Sequence, residues 1–250
     1  MSEIEVTRQD AIARITLNRP PLNILTSSML DAFTAALDAA SDAHVLVIAA
    51  NGRAFCAGVD IAEHLPEKAE PMLTRFHRAC RTLLALDIPT VASVHGAALG
   101  GGCEIVALCD FVIAGRSATF GQPEIKVGAF PPVAAAALAA LAGHRTATAL
   151  MLLGESITAE AARDAGLVTS VVDDDQLPAA TDQLVGKLTA LSRPALRLAK
   201  RASLGAFRQH FEEALEQAER LYLHELIATE DAREGILAFL EKRAPAWKHR

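Results

Sequence analysis

The residues best suited to chemistry lie in a short glycine-rich stretch and at two nearby glutamates. Three consecutive glycines, Gly100 to Gly102, follow an apolar run and precede Cys103 and Glu104 in a predicted helix. Glycine lets the backbone approach a ligand closely, and the first N–H groups of a helix lack intrahelical acceptors. Such a turn can bind a carbonyl oxygen that becomes negative during a reaction. The same turn is also typical of close strand-to-helix packing without any chemistry.

A second glycine-containing loop, residues 51–60, follows another predicted strand. If both loops direct a backbone N–H into one cleft, the two donors form an oxyanion hole. Glu104 and Glu124 both lie beside glycine-rich turns, and paired carboxylates can hold and polarise one water molecule. Taken separately, Glu104 is also consistent with a glutamate favoured by a helix N-terminus, and Glu124 with a surface ion pair.

The predicted elements that position these residues alternate between strands and helices up to about residue 130. The predicted strands are 3–8, 11–17, 44–50, 90–94, 110–114, 118–120 and 168–172. Helices are predicted from an N-cap among Thr26, Ser27 and Ser28 to about Ala40, over 72–85, from the glycine run onward, and over most of the chain beyond Val133. This order predicts an α/β protein with a helical tail that forms a subdomain or an assembly surface.

Composition excludes several classes of function. The chain has 250 residues with a net charge of −6, and an acidic balance argues against a nucleic-acid binder. The first residues lack the basic and apolar regions of a signal peptide, and no apolar run is long enough for a membrane span. Motifs for dinucleotide or phosphate-loop binding, zinc proteases and serine hydrolases are missing. We therefore expect no metal, no nucleic acid and no membrane partner.

The four cysteines show neither a CxxC pair nor the spacing of zinc ligands. We expect free, buried thiols in a cytoplasmic protein. Cys103 beside Glu104 is a conceivable nucleophile, but no histidine is placed in the sequence to activate it.

Taken together, these motifs resemble the crotonase (enoyl-CoA hydratase/isomerase) family over nearly the whole chain. The similar segments are 18–20, 54–60, 96–104, 120–124, 154–171, 231–235 and 239–243. The resemblance implies a spiral of ββα turns over residues 1–190 and a helical C-terminal trimerisation region over 191–250, in trimers or dimers of trimers. It also implies an acyl-CoA thioester as substrate and no separate cofactor, because coenzyme A is carried by the substrate.

Matched residue to residue, the resemblance implies an oxyanion hole formed by the N–H groups of Val59 and Gly101. Glu104 and Glu124 match the two glutamates of the hydratases, with Glu104 taking a proton from water and Glu124 holding that water and protonating C2. Retention of both glutamates favours the addition of water to a 2-enoyl-CoA.

The resemblance also implies a set of residues that bind coenzyme A. Arg53 and Lys242 match positions where relatives place basic side chains near the CoA phosphates. Ala57 and Asp60, on either side of the predicted oxyanion loop, are assigned to the same binding region. The alternative for Arg53 and Lys242 is that both are solvated surface cations.

Two departures from the family pattern affect the predicted substrate. Val59 stands where relatives often have Ala or Gly. Hydratases typically carry a Pro-Gly-x-Gly-Gly-Thr-x-Arg-Leu pattern where this chain has Phe130-Pro-Pro-Val-Ala-Ala-Ala-Ala-Leu138. That segment looks like relatives that hydrate cyclic dienoyl-CoA thioesters. We expect 131–138 to border the acyl group, with an alanine-rich core helix as the alternative.

Other functions remain open at this point. Within the family, double-bond isomerisation and hydration of a cyclic dienoyl-CoA compete with hydration of a straight-chain enoyl-CoA. A non-catalytic binding or scaffold protein is the alternative of a different class.

Overall fold

The computed structural model describes residues 2–250 as nine strands and nine α-helices around two sheets. The strands are β1 (Ile4–Gln9), β2 (Ile12–Leu17), β3 (Val45–Ala50), β4 (Thr90–Val94), β5 (Ala97–Leu99), β6 (Phe111–Gly115), β7 (Thr119–Gly121), β8 (Ser156–Thr158) and β9 (Ser170–Val172). The helices are α1 (Ser27–Ala40), α2 (Pro66–Ala85), α3 (Gly101–Ala107), α4 (Pro132–Ala142), α5 (His144–Leu153), α6 (Ala159–Asp164), α7 (Leu177–Thr189), α8 (Arg193–His224) and α9 (Glu230–Leu240). Short 3-10 helices lie at Ile61–His64, Pro123–Val127, Asp174–Gln176 and Leu226–Ala228.

The larger sheet has the order β1-β2-β3-β4-β6-β9, in which β1 and β2 are antiparallel and the remaining pairs are parallel. A parallel strand covered on both faces carries an unbroken apolar sequence, as β3 does. Leu46 and Ile48 of β3 join the main hydrophobic core, whereas Val45 and Val47 join a smaller cluster with α7 residues such as Val185.

The smaller sheet, with the order β5-β7-β8, brings the glycine run beside the loop that carries Glu124. The chain leaves β4 at Val94 and turns at Gly96, whose φ of +57° is a left-handed conformation that favours glycine. It then enters β5, which pairs with β7 in the register Leu99 to Gly121.

The C-terminal helices α8 and α9 pack against elements that carry or adjoin the predicted site residues. The long helix α8 packs against α4 and α2, and α9 packs against the 3-10 helices Ile61–His64 and Pro123–Val127. None of the helices among residues 2–250 is long and apolar enough to span a bilayer.

The predicted α/β class is confirmed, and most predicted elements lie within a few residues of their observed bounds. Three predictions need correction. The sequence pattern predicts loops where the strands β5 and β8 lie, and α2 begins at Pro66 rather than at 72. The division into 1–190 and 191–250 stays a prediction, although α8 begins at Arg193, close to that boundary.

Candidate active site

A cavity of about 700 Å³ lies where the two glycine loops meet the C-terminal helices. Six of the eight predicted site residues line it: Ala57, Val59, Asp60, Gly101, Glu104 and Glu124. Arg53 and Lys242 are exposed and do not line this cavity. The structure therefore gathers the residues predicted for chemistry and leaves the two predicted cations outside.

Two backbone N–H groups in the cavity wall have no acceptor among the hydrogen bonds of the described residues. Leu25 donates to the carbonyl of Gly58 (2.9 Å) and accepts the N–H of Asp60 (3.0 Å). Because alternate peptide groups of an extended chain point in opposite directions, the N–H of Val59 faces away from Leu25. The N–H of Gly101, the first residue of α3, has no intrahelical acceptor for the reason common to helix starts.

Backbone hydrogen bonds between the loops fix the separation of these two donors. The N–H of Cys56 donates to Ala97 (3.0 Å), and the N–H of Leu99 donates to Cys56 (2.9 Å). A Cβ on Gly101 would lie 3.0 Å from Cγ2 of Val59, so the two residues are in close contact. The glycine at 101 thus permits the approach of one donor to the other.

Glu104 lies in the first turns of α3 and is only 3 % exposed. Its Oε1 accepts the N–H of Ala134 at 2.7 Å, and the N–H of Val133 supports the same carboxylate. These donors belong to the first turn of α4, whose N-cap, Pro131, provides no side-chain cap. The carboxylate of Glu104 therefore caps α4 from another part of the chain, and the positive end of α4 orients it.

Glu124 approaches the same region from the 3-10 helix after β7. Gly100 has a φ of +51°, and a Cβ there would overlap Oε1 of Glu124. Oε2 of Glu124 is buried and has no hydrogen-bond partner within residues 2–250. One oxygen of this carboxyl group therefore has an unused capacity to accept a hydrogen bond.

The environment of the two glutamates favours their protonated forms. Burial raises the pKa of Glu104, and repulsion from Glu124 raises it further, while the two α4 N–H groups oppose the rise. Burial likewise raises the pKa of Glu124. Since both shifts penalise a doubly ionised pair, we expect the two groups to share a proton near neutral pH.

Sequence reasoning missed a hydrogen-bonded pair in the wall of the cavity. Nδ1 of His64 lies 2.9 Å from the hydroxyl of Tyr222, and the Tyr222 ring packs edge-on against Phe130 at 5.3 Å. Of these three residues, only Phe130 is singled out by the sequence, as the first residue of the segment 130–138 that departs from the family pattern. The two hydrogen-bonded partners are separated by 158 residues, so no local pattern reveals their contact.

Three cations line the cavity, and the sequence predicted none of them. Arg19 is paired with Glu3 and Arg243 with Glu234, whereas Lys126 is exposed and has no ion pair among the described residues. Arg243 immediately follows the predicted Lys242, and the assignment of Lys242 to CoA binding stays a prediction.

The cysteines play no visible part in the site. All four are buried and free, and burial raises the pKa of the Cys103 thiol to about 12. A thiol in that state is a poor nucleophile near neutral pH. Residues 2–250 also hold no group of three His, Cys, Asp or Glu side chains arranged to bind a metal ion.

Only the first residues of the segment 131–138, predicted to border the acyl group, line the cavity. Phe130, Pro131 and Pro132 line the cavity, whereas the alanines that follow do not. Ala134 is buried behind the wall and Ala135 is exposed on the outer face of α4.

Comparison with known proteins relates this chain to one family. The model of the enoyl-CoA hydratase/isomerase family matches residues 7–250. The chain is 41 % identical over 260 residues to a 2,3-dehydroadipyl-CoA hydratase of Escherichia coli (strain K12), with 100 % of both chains covered. It is 34 % identical to a cyclohexa-1,5-dienecarbonyl-CoA hydratase of Thauera aromatica, with 99 % of this chain and 97 % of the relative covered. A crystal structure of an enoyl-CoA hydratase from Mycobacterium avium subsp. paratuberculosis K-10 superposes with a TM-score of 0.89 at 30 % identity, covering 99 % of each chain.

Proposed function

Because this chain belongs to the enoyl-CoA hydratase/isomerase family, we propose that it adds water across the 2,3 double bond of an enoyl-CoA thioester. The observation that carries the proposal is that the carboxyl groups of Glu104 and Glu124 line one cavity together with two backbone N–H donors that have no acceptor in the described residues. Hydration needs both a group that accepts a proton from water and a group that delivers one to carbon.

In this proposal the thioester carbonyl accepts hydrogen bonds from the N–H groups of Val59 and Gly101. Water attack at C3 forms the C–O bond and shifts the π electrons toward the carbonyl, which becomes enolate-like. The two donors stabilise that negative charge because they are already in place when it develops.

The two glutamates divide the proton transfers. Glu104 accepts a proton from the attacking water. The two N–H donors of α4 oppose the rise of its pKa that burial causes, and so favour the ionised form that this role needs. Glu124, with one unpartnered oxygen, positions the water and supplies the proton that C2 receives. One O–H bond breaks and one C–H bond forms, so the pair ends with the same number of protons as it began.

A second candidate is hydration of a cyclic dienoyl-CoA. It is favoured by the rigid wall of Phe130, Pro131 and Pro132, and by the similarity to the Thauera aromatica relative with that activity. Two prolines fix the backbone of this wall, and a stiff apolar surface suits a compact ring.

Incubation with crotonyl-CoA in ¹⁸O-labelled water tests the proposal. Hydration gives a 3-hydroxyacyl-CoA that carries the label, and the absorbance of the conjugated thioester disappears. Isomerisation of a suitable enoyl-CoA instead moves the double bond without gain of mass. A parallel assay with a cyclic dienoyl-CoA ranks the two candidate substrates. No labelled product from either thioester would refute hydration.

A further inference from the structure

The cavity contains a hydrogen-bond donor that the proposed hydration does not use. His64 lines the cavity, and its only hydrogen bond in residues 2–250 joins Nδ1 to the hydroxyl of Tyr222 at 2.9 Å. Nε2 of His64 has no partner among these residues and is not among the buried unpartnered atoms, so this nitrogen retains some accessible surface.

The protonation of this pair follows from its partners. Tyr222 is 1 % exposed, and His64 is the only acceptor that its hydroxyl has within the described residues. A buried hydroxyl donates to the acceptor it has, so the proton of Tyr222 points to Nδ1. Burial lowers the pKa of His64 to about 4, so the ring is neutral near pH 7 and carries its one proton on Nε2.

The neighbouring carboxylates leave this N–H unused. Asp60 accepts the N–H of Ala62, and Glu63 accepts the hydroxyl of Ser27. Neither carboxylate bonds to His64, so its Nε2–H can donate to a molecule in the cavity.

The position of the pair places this donor toward the acyl part of a bound thioester. Tyr222 packs edge-on against Phe130 of the cavity wall, and burial, followed by the charges of Glu124 and Glu104, raises the pKa of its hydroxyl. The exposed cation Lys126, by contrast, marks the open side that suits the CoA phosphates. The His64–Tyr222 pair therefore adjoins Phe130, the part of the wall that we expect to border the acyl group.

We propose that the Nε2–H of His64, held in place by Tyr222, binds an uncharged oxygen of the acyl group, such as a ketone carbonyl beyond the reacting carbons. This inference rests on the proposed function and names the substrate class: enoyl-CoA thioesters with a neutral oxygen acceptor on the acyl chain. A carboxylate is disfavoured there, because a neutral imidazole offers no charge and Asp60, Glu63 and the glutamate pair repel an anion.

Binding of unreactive thioesters tests the inference without relying on catalysis. Hexanoyl-CoA, 5-oxohexanoyl-CoA and adipoyl-CoA have the same chain length, and calorimetry gives the Kd of each. We expect the wild-type protein to bind 5-oxohexanoyl-CoA more tightly than hexanoyl-CoA by about three- to tenfold, the range for one neutral hydrogen bond. Adipoyl-CoA should bind no more tightly than hexanoyl-CoA.

Variants connect the preference to the two side chains. His64→Leu should reduce the ratio of the two Kd values to about one, and Tyr222→Phe should lower it because the imidazole loses its anchor. His64→Gln retains an N–H donor and should keep part of the preference. His210→Gln, at an exposed histidine of α8, is the matched control and should leave the ratio unchanged.

The outcomes separate this inference from the proposed function. The inference is overturned if both His64→Leu and Tyr222→Phe still bind 5-oxohexanoyl-CoA more tightly than hexanoyl-CoA, as the wild type is expected to do. It is also overturned if the wild type binds adipoyl-CoA more tightly than hexanoyl-CoA and His64→Leu abolishes that difference. If the ketone preference behaves as expected but no thioester gains water, only the hydration proposal fails. If His64→Leu does not fold, His64→Gln and Tyr222→Phe still decide the outcome.

Discussion

Replacement of Glu104 by Gln should lower activity and raise stability together. The substitution retains the size of the side chain and the oxygen that accepts the N–H of Ala134, but it removes the ionisable group. Loss of one acid–base group lowers kcat by about 10²–10⁴-fold. At about 1.4 kcal/mol per factor of ten, this corresponds to roughly 3–5 kcal/mol of transition-state stabilisation.

The expected gain in stability follows from the direction in which the pKa moves. In the unfolded chain Glu104 ionises at its usual pKa, whereas burial and Glu124 raise its pKa in the folded protein. As pH rises from the unfolded pKa through the folded pKa, the unfolded state loses its proton first, so the free energy of unfolding falls. A pKa that is higher by one in the folded protein costs about 1.4 kcal/mol of stability once the group is ionised in both states. The Gln variant escapes this cost and should be more stable at neutral pH by about 1 kcal/mol or more.

Thermal melts and hydration kinetics measure both effects. For a chain of this size, 1 kcal/mol corresponds to a Tm change of about 2–4 °C. The advantage of Glu104→Gln should be small near about pH 5 and should increase toward about pH 8, as the wild-type penalty develops between the unfolded and the folded pKa. Glu216→Gln, at an exposed position of α8, is the control and should change neither kcat nor the pH dependence of Tm.

Two results would refute this reasoning. A Glu104→Gln variant with a kcat within about threefold of wild type would make the carboxylate a structural cap of α4. A variant that melts below wild type at about pH 8 would mean that the ionised carboxylate stabilises the fold through its bonds to α4, contrary to the burial argument.

Three further predictions concern binding, specificity and assembly. Arg243→Ala should raise the KM for a CoA thioester with little change in kcat, because Arg243 lines the cavity. Lys242→Ala should raise the KM less. A larger increase in KM for Lys242→Ala would instead favour Lys242 as the residue that binds the CoA phosphates. Ala135→Leu should leave the ranking of acyl substrates unchanged, whereas Ala134→Leu should lower Tm and reduce kcat/KM for all substrates by overpacking behind Glu104. A re-ranking of substrates by Ala135→Leu would contradict the observed wall. The exposed apolar side chains of residues 191–250 should be covered by copies of the chain, so light scattering should give a trimer or a hexamer, and a monomer would refute this.

The sequence predicted best the elements that are stabilised by their own residues. The strand β2 alternates in burial, and α1 begins after Thr26, whose side chain accepts the N–H of Met29. Local patterning and capping were sufficient there. The strands β5 and β8 have only three residues each and depend on pairing with β7, which no local pattern records.

Helix α2 begins earlier in the structure than in the prediction. Pro71 lies inside the observed helix, more than a turn beyond its first residue, Pro66. Proline is typical of a helix start and unfavourable in the interior, so Pro71 is consistent with the predicted start at 72 and not with the longer helix observed. The packing of α2 against α1 and α8 compensates for the lost hydrogen bond.

The candidate site also contains residues that the local sequence predicts and residues that it does not. The glycine turn, the loop before Val59 and the two glutamates carry their chemistry in their own residue types, and they do line one cavity. The His64–Tyr222 pair arises because α8 crosses the cavity, and neither residue has a neighbour in sequence that marks it. A contact formed only by tertiary packing cannot be read from such isolated residues.

The prolines before α4 connect acyl specificity with proton transfer. Pro132 has no N–H, so the first donors that α4 offers are those of Val133 and Ala134, and both support Glu104. The same Pro131–Pro132 pair forms part of the cavity wall. A substitution that replaces these prolines to enlarge the cavity would also free the backbone. It would therefore loosen the start of α4 and the carboxylate of Glu104 that caps it. Acyl specificity can change without loosening α4 only through a wall residue whose side chain can be replaced without freeing the backbone. Phe130 is the residue of the segment that meets this condition.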